Sequence, residues 1–129
     1  MCSSDLDKQV IDDQICKPET VKKLKRLMQN VVEHDEGTGH GLYSENFSMA
    51  GKTGTSQIAG PGGKYEETGI GTSITSFAGY APVDRPKFAM MVKFDRPRTL
   101  EYGSQTAAPI FKEISALLFE YYGIPPDEI

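Results

Sequence analysis

The sequence predicts an α+β fold: an antiparallel β-sheet of three strands packed by a C-terminal helix, with an amphipathic helix leading into it. Three observations carry this expectation. Apolar residues recur at three- and four-residue steps near both ends of the chain, over 21–32 and 107–121. Three extended stretches lie between them, separated by clusters of glycine and proline. The order helix, three strands, helix does not alternate strand with helix, which favours antiparallel pairing.

The elements follow in order. Residues 1–6 fit no pattern and read as unstructured or artefactual, a tag, junction or misread start. Residues 7–17 are polar around Val10-Ile11. Pro18 suits the first position of a helix, where its missing N–H is not needed. Val21, Leu24, Leu27, Met28, Val31 and Val32 then predict one buried stripe, with Lys22, Lys23, Lys25 and Arg26 on a solvated face. Gly37 is expected to stop that helix. A strand is expected over 47–57, followed by a glycine-rich loop over 59–71. Strands over 73–81 and 87–95 flank the turn Pro82-Val83-Asp84-Arg85-Pro86. Both faces of the last strand are mostly apolar, which predicts burial on both sides. Thr106 is expected to cap the final helix, whose apolar stripe includes Ala107, Ile110, Phe111, Ile114, Leu117, Leu118 and Tyr121; Gly123 and Pro125-Pro126 end it.

The totals exclude several function classes. The 129 residues allow one domain. A net charge of −4 argues against nucleic-acid binding, which needs a basic surface. No apolar run is long enough to span a bilayer, and the N-terminus lacks the apolar core of a signal peptide. Cys2 and Cys16 read as free thiols, and with His34 and His40 they lack the paired spacing of a zinc site. His40 reads as a surface loop histidine.

The chemistry concentrates in Met49-Ala50-Gly51-Lys52-Thr53-Gly54-Thr55-Ser56. On a strand, Lys52, Gly54 and Ser56 share one face and Thr53 and Thr55 the other. Lys52 supplies a compact positive charge. The threonine hydroxyls and the strand's N–H groups suit a carboxylate or a developing oxyanion. Gly54, without a Cβ, lets a ligand backbone lie close.

With its flanks, this run resembles the third motif of the penicillin-binding proteins, the serine D,D-transpeptidases that cross-link peptidoglycan. The resemblance runs from about Gln14 to Gly123. It takes in Val31-Val32-Glu33, Gly37-Thr38-Gly39, Ala50-Gly51-Lys52-Thr53-Gly54-Thr55-Ser56-Gln57, Ser76-Phe77-Ala78-Gly79-Tyr80-Ala81-Pro82, Tyr102-Gly103 and Ala107-Ala108-Pro109-Ile110-Phe111. It is closest to the class B, cell-division or elongation type. It implies that residues 1–129 are the C-terminal part of one transpeptidase domain with a partial penicillin-binding/β-lactamase-like fold.

The resemblance also implies a catalytic role for Lys52 and substrate binding by Thr53, Gly54 and Thr55. The Thr55 N–H would be one oxyanion donor. The implied partners are a stem peptide ending in D-Ala-D-Ala, β-lactams and the rest of the transpeptidase domain, in the bacterial cell envelope at the outer face of the cytoplasmic membrane, with no cofactor. One departure is plain: no serine here has a lysine three residues later, so the family's S-x-x-K nucleophile is absent. Ser44-Glu45-Asn46 spells S-x-N but lies too close to Lys52 and reads as coincidence. Two rival readings fare worse. A phosphate-binding P-loop ending in Gly51-Lys52-Thr53 would need glycine where Asn46 stands. A non-catalytic interaction module of the same fold would not need the whole Lys52 to Thr55 run.

Overall fold

The computed structural model describes residue 12, residues 14–67 and residues 69–127. Residues 1–6, most of the Val10-Ile11 segment and Cys2 lie outside the described residues. Helix α1 spans Pro18–Glu33, followed by strands β1 (Ala50–Gln57), β2 (Ser73–Ala81) and β3 (Phe88–Asp95) and helix α2 (Ala107–Tyr121). The strands form one antiparallel sheet in the order β1-β2-β3. The α+β expectation thus holds, with β2 where the sequence put it and β1 starting three residues later than expected.

The register explains the core. Thr53 pairs with Phe77 and Phe77 with Val92, while Gly51 pairs with Gly79 and Gly79 with Met90. Paired residues share a face, so Phe77, Gly79, Val92 and Met90 lie together. Phe111 of α2 packs on this face, its ring edge-on to Phe77 at a centroid distance of 4.8 Å. Both rings are fully buried; each contributes about 1.5–3 kcal/mol of apolar burial. Val32, Leu42, Met49, Ala81, Ala107, Ala108 and Phe119 complete the core. Alternate residues of β2, including Ala78 and Tyr80, turn to the opposite face, where Met28 of α1 approaches them.

Several sequence expectations need correction. The stripe of α1 is largely bare: Val21, Leu24 and Leu27 are 40%, 54% and 63% exposed, and only Val32 of that set is buried. Among the described residues α1 joins the core only through Val32 in its last turn, which leaves the apolar positions upstream uncovered. The helix ends at Glu33 with His34 extended, four residues before Gly37. β3 is half-buried, not buried on both faces: Phe88, Met90 and Val92 face the core while Met91 is 62% exposed. Thr106 stands at the N-cap position of α2 as expected, but its side chain makes no capping hydrogen bond. Its hydroxyl donates instead to the Tyr102 carbonyl at 2.9 Å and sits 2.7 Å from the buried Thr75 hydroxyl. Leu117 and Tyr121 of the α2 stripe are exposed. Ser44 serves a local turn, its hydroxyl accepting the Asn46 N–H.

Candidate functional site

Strand β1 pairs only with β2, so its other edge is open among the described residues. Lys52 runs along that edge. Its Nζ donates to the Thr53 carbonyl at 3.0 Å and to Thr53 Oγ1 at 2.9 Å. The Thr53 carbonyl therefore points away from β2. Backbone groups alternate in direction along a strand, so the N–H and C=O of Gly51, Thr53 and Thr55 all face the open edge, while those of Lys52, Gly54 and Ser56 turn to β2.

The side chains alternate as the sequence indicated. Thr53 and Thr55 lie on the face of Phe77 and Thr75, and Lys52 and Gly54 on the face of Ala78 and Ser76. Lys52 and Thr55 are exposed; Thr53 and Gly54 are partly covered. Among the described residues no carboxylate pairs with Lys52, which leaves its charge available to an anion. A Cβ at Gly54 would lie 2.6 Å from Ser76 Oγ on the neighbouring strand, a hydroxyl that can rotate away, and 3.9 Å from Ser76 Cβ.

Two residues join the site that sequence reasoning did not place there. Thr38 Oγ1 lies 3.0 Å from Thr53 Oγ1. The Gly103 N–H points at Thr55 Oγ1 at 3.4 Å, and a Cβ on Gly103 would strike the Ser76 and Gly54 carbonyls at 2.5 and 2.8 Å. Both residues belong to short motifs visible in the sequence. Their link to β1 is a long-range contact that no local pattern encodes. His40 does not join the Lys52 network; it stacks on Tyr43 and faces Asp35.

The segment after β1 is tied back to the sheet. Ala59 bridges to Tyr65, and the Glu66 N–H donates to the Ile58 carbonyl at 2.8 Å. Arg96, at φ +51°, grips Glu66 with two 2.7 Å hydrogen bonds and the Gly71 carbonyl with a third at 3.2 Å. The Arg96 hydrogen bond holds the Glu66 carboxyl below its ordinary pKa, and Glu66 raises that of Arg96. On the α1 side of the sheet, burial pushes the Tyr80 phenol up. A hollow of about 370 Å³ between Phe47, Met49, Ala116, Phe119 and Ile124 contains no residue of the Lys52 to Thr55 run. Its wall is mostly apolar, with the opposite charges of Lys112 and Glu120 also lining it.

An open strand edge carrying a lysine and two hydroxyls is an anion-binding arrangement that also offers backbone donors. The family model described as the penicillin-binding protein transpeptidase domain matches residues 3–116. The chain belongs to the penicillin-binding protein transpeptidase family. Its relatives identify it as a segment of the class B kind. It is similar to the penicillin-binding protein PbpB of Mycolicibacterium smegmatis, with 34% identity over 120 residues, 86% of this chain and 18% of that protein. It is 36% identical over 114 residues to the stage V sporulation protein D of Bacillus subtilis, covering 88% of this chain and 17% of that protein. Among solved structures, penicillin-binding protein 3 of Mycobacterium tuberculosis in complex with ampicillin superposes with a TM-score of 0.72 at 29% identity, covering 86% of this chain and 26% of that one. The transpeptidase domain of penicillin-binding protein 3 of Burkholderia pseudomallei superposes with a TM-score of 0.74 at 25% identity, covering 88% and 33%. The chain thus spans under a fifth of the length of these curated relatives.

Proposed function

We propose that this segment supplies the lysine-threonine-glycine strand of a serine D,D-transpeptidase that binds penicillin and cross-links peptidoglycan in the bacterial cell envelope, at the outer face of the cytoplasmic membrane. The observation that carries the reading is the open edge of β1, where Lys52 Nζ meets Thr53 Oγ1 and Thr55 stands two residues on. A stem peptide ending in D-Ala-D-Ala presents a carboxylate and an extended backbone. Lys52 attracts the carboxylate, and the Thr53 and Thr55 hydroxyls donate to it. The Thr55 N–H, directed to the open edge, donates to the oxyanion of the tetrahedral intermediate. The serine that attacks the carbonyl comes from an S-x-x-K motif outside this segment, in the rest of the transpeptidase domain. D-Alanine leaves, and a second stem amine takes the acyl group. A β-lactam offers the same carboxylate and a reactive amide, and stalls the serine as an acyl adduct.

The division of labour is testable by intact mass. Excess β-lactam leaves the mass of this chain unchanged. A domain that joins this segment to its S-x-x-K serine gains one acyl group, and Lys52→Ala slows that acylation by about 10²-fold or more, the usual scale for losing one preorganised electrostatic contact. An adduct on the chain alone, or unchanged acylation in the lysine variant, would overturn the reading.

A further inference from the structure

We propose that Thr38 is a positioning residue that aims the Thr53 hydroxyl proton at the ligand carboxylate. The inference rests on the function proposed above and adds a group to its site.

A lysine ammonium only donates, so Thr53 Oγ1 accepts from Lys52 Nζ at 2.9 Å and spends one lone pair. One lone pair and one proton remain on that oxygen. Thr38 Oγ1, 3.0 Å away, engages one of them. An anion can take only the proton. When a carboxylate binds, Thr38 must therefore donate, filling the second lone pair. Thr53 is then left with a single direction in which to donate, outward to the ligand.

Thr38 is held in place by the atoms around its neighbours. The Gly37 N–H donates to the His34 carbonyl at 2.8 Å and the Gly39 N–H to the Val31 carbonyl at 2.9 Å, which satisfies a free carbonyl at the end of α1. A Cβ on Gly37 would lie 2.2 Å from the Val31 carbonyl oxygen. A Cβ on Gly39 would lie 3.2 Å from Val31 Cγ1 and 3.3 Å from Phe77 Cε2. Residues 37–39 lie flat on the helix end and against a core ring because both flanking residues lack side chains. That seating brings the Thr38 hydroxyl to β1.

The test is an amide NMR titration of the full chain, following Thr53 and Thr55. The probes are N-acetyl-D-Ala-D-Ala and its C-terminal carboxamide, which lacks the negative charge. Thr38→Val is expected to weaken the carboxylate probe by about 2- to 10-fold, the scale of one hydrogen bond, and to leave the carboxamide unchanged. Thr38→Ser, which restores a hydroxyl, restores binding. Gly37→Ala, which lifts the loop off α1, reproduces the loss without touching Thr38. Equal binding of the carboxylate by wild type and Thr38→Val overturns the inference. So does an equal loss for both probes, the mark of a merely structural role. If the wild-type chain shows no response at Thr53 and Thr55, the proposed function falls, and this inference with it.

Discussion

Gly51→Ala is expected to destabilise the protein, although alanine normally suits a strand better than glycine. An ideal Cβ at 51 would lie 2.5 Å from Phe77 Cε1 and Cζ and 2.7 Å from the Ala78 carbonyl oxygen. The ring has nowhere to retreat. Phe77 is fully buried, Phe111 abuts it edge-on, and the Gly79 position opposite Gly51 is also crowded by both rings, each 3.0 Å from where its Cβ would be. Overpacking of a filled core costs about 1–3 kcal/mol. Removing a glycine from a strand returns about 0.5–1 kcal/mol. The net loss is about 1–2 kcal/mol, which lowers Tm by roughly 5–10 °C in a chain of this size. A double-mutant cycle isolates the cause. Phe77→Leu shortens the obstructing ring, so the pair Gly51→Ala with Phe77→Leu should be less destabilised than the two single losses summed, by about 0.5–2 kcal/mol. Urea unfolding at micromolar protein provides the readout. A neutral or stabilising Gly51→Ala, or strict additivity in the cycle, would refute the steric argument.

Two further predictions concern the parts that brace β1. The folded-state pKa of Glu66 lies below its ordinary value because Arg96 hydrogen-bonds it. The stabilisation from this pair is therefore complete above the ordinary carboxylate range and disappears as pH falls through the lowered value; proteolytic nicking within residues 58–72 should rise on acidification, and Glu66→Gln should show high nicking at every pH, so a variant that keeps the wild-type pH dependence would exclude this pair as the source. Thr106 gives its proton to the Tyr102 carbonyl, so the buried Thr75 must donate to Thr106; Thr75→Val should cost about 1 kcal/mol in chemical unfolding, and a change of less than a few tenths would show that the hydroxyl pair adds nothing.

Much of this fold was legible from local chemistry. Pro18 marked the start of α1, and alternation bounded by glycine and proline marked β2 and β3. Lys52 to Thr55 is legible because its flanking motifs, from Gly37-Thr38-Gly39 to Ala107-Ala108-Pro109, accompany it in the family's order. The misses share one cause. Periodicity reports which residues are apolar, not what covers them, so the bare stripe of Val21, Leu24 and Leu27 looked like a core. Gly37 read as a helix stop, whereas its use is close approach to the Val31 carbonyl. Thr38 to Thr53 and Glu66 to Arg96 join residues 15 and 30 positions apart, and nothing in a local window records such a pair.

The open edges of the sheet have a consequence for symmetry. β1 and β3 each present backbone groups with no strand beyond them among the described residues. Two copies that met β1 to β1, antiparallel, would be related by a two-fold axis, and the contact would close as a dimer. Copies that met β1 to β3 would repeat the same head-to-tail contact, closing into a ring where the rotation between them allows and otherwise extending as an open row. The first geometry covers Lys52 and its neighbours in every copy. An open row of the second kind leaves one site bare at its end, so the number of accessible sites would count rows, not molecules.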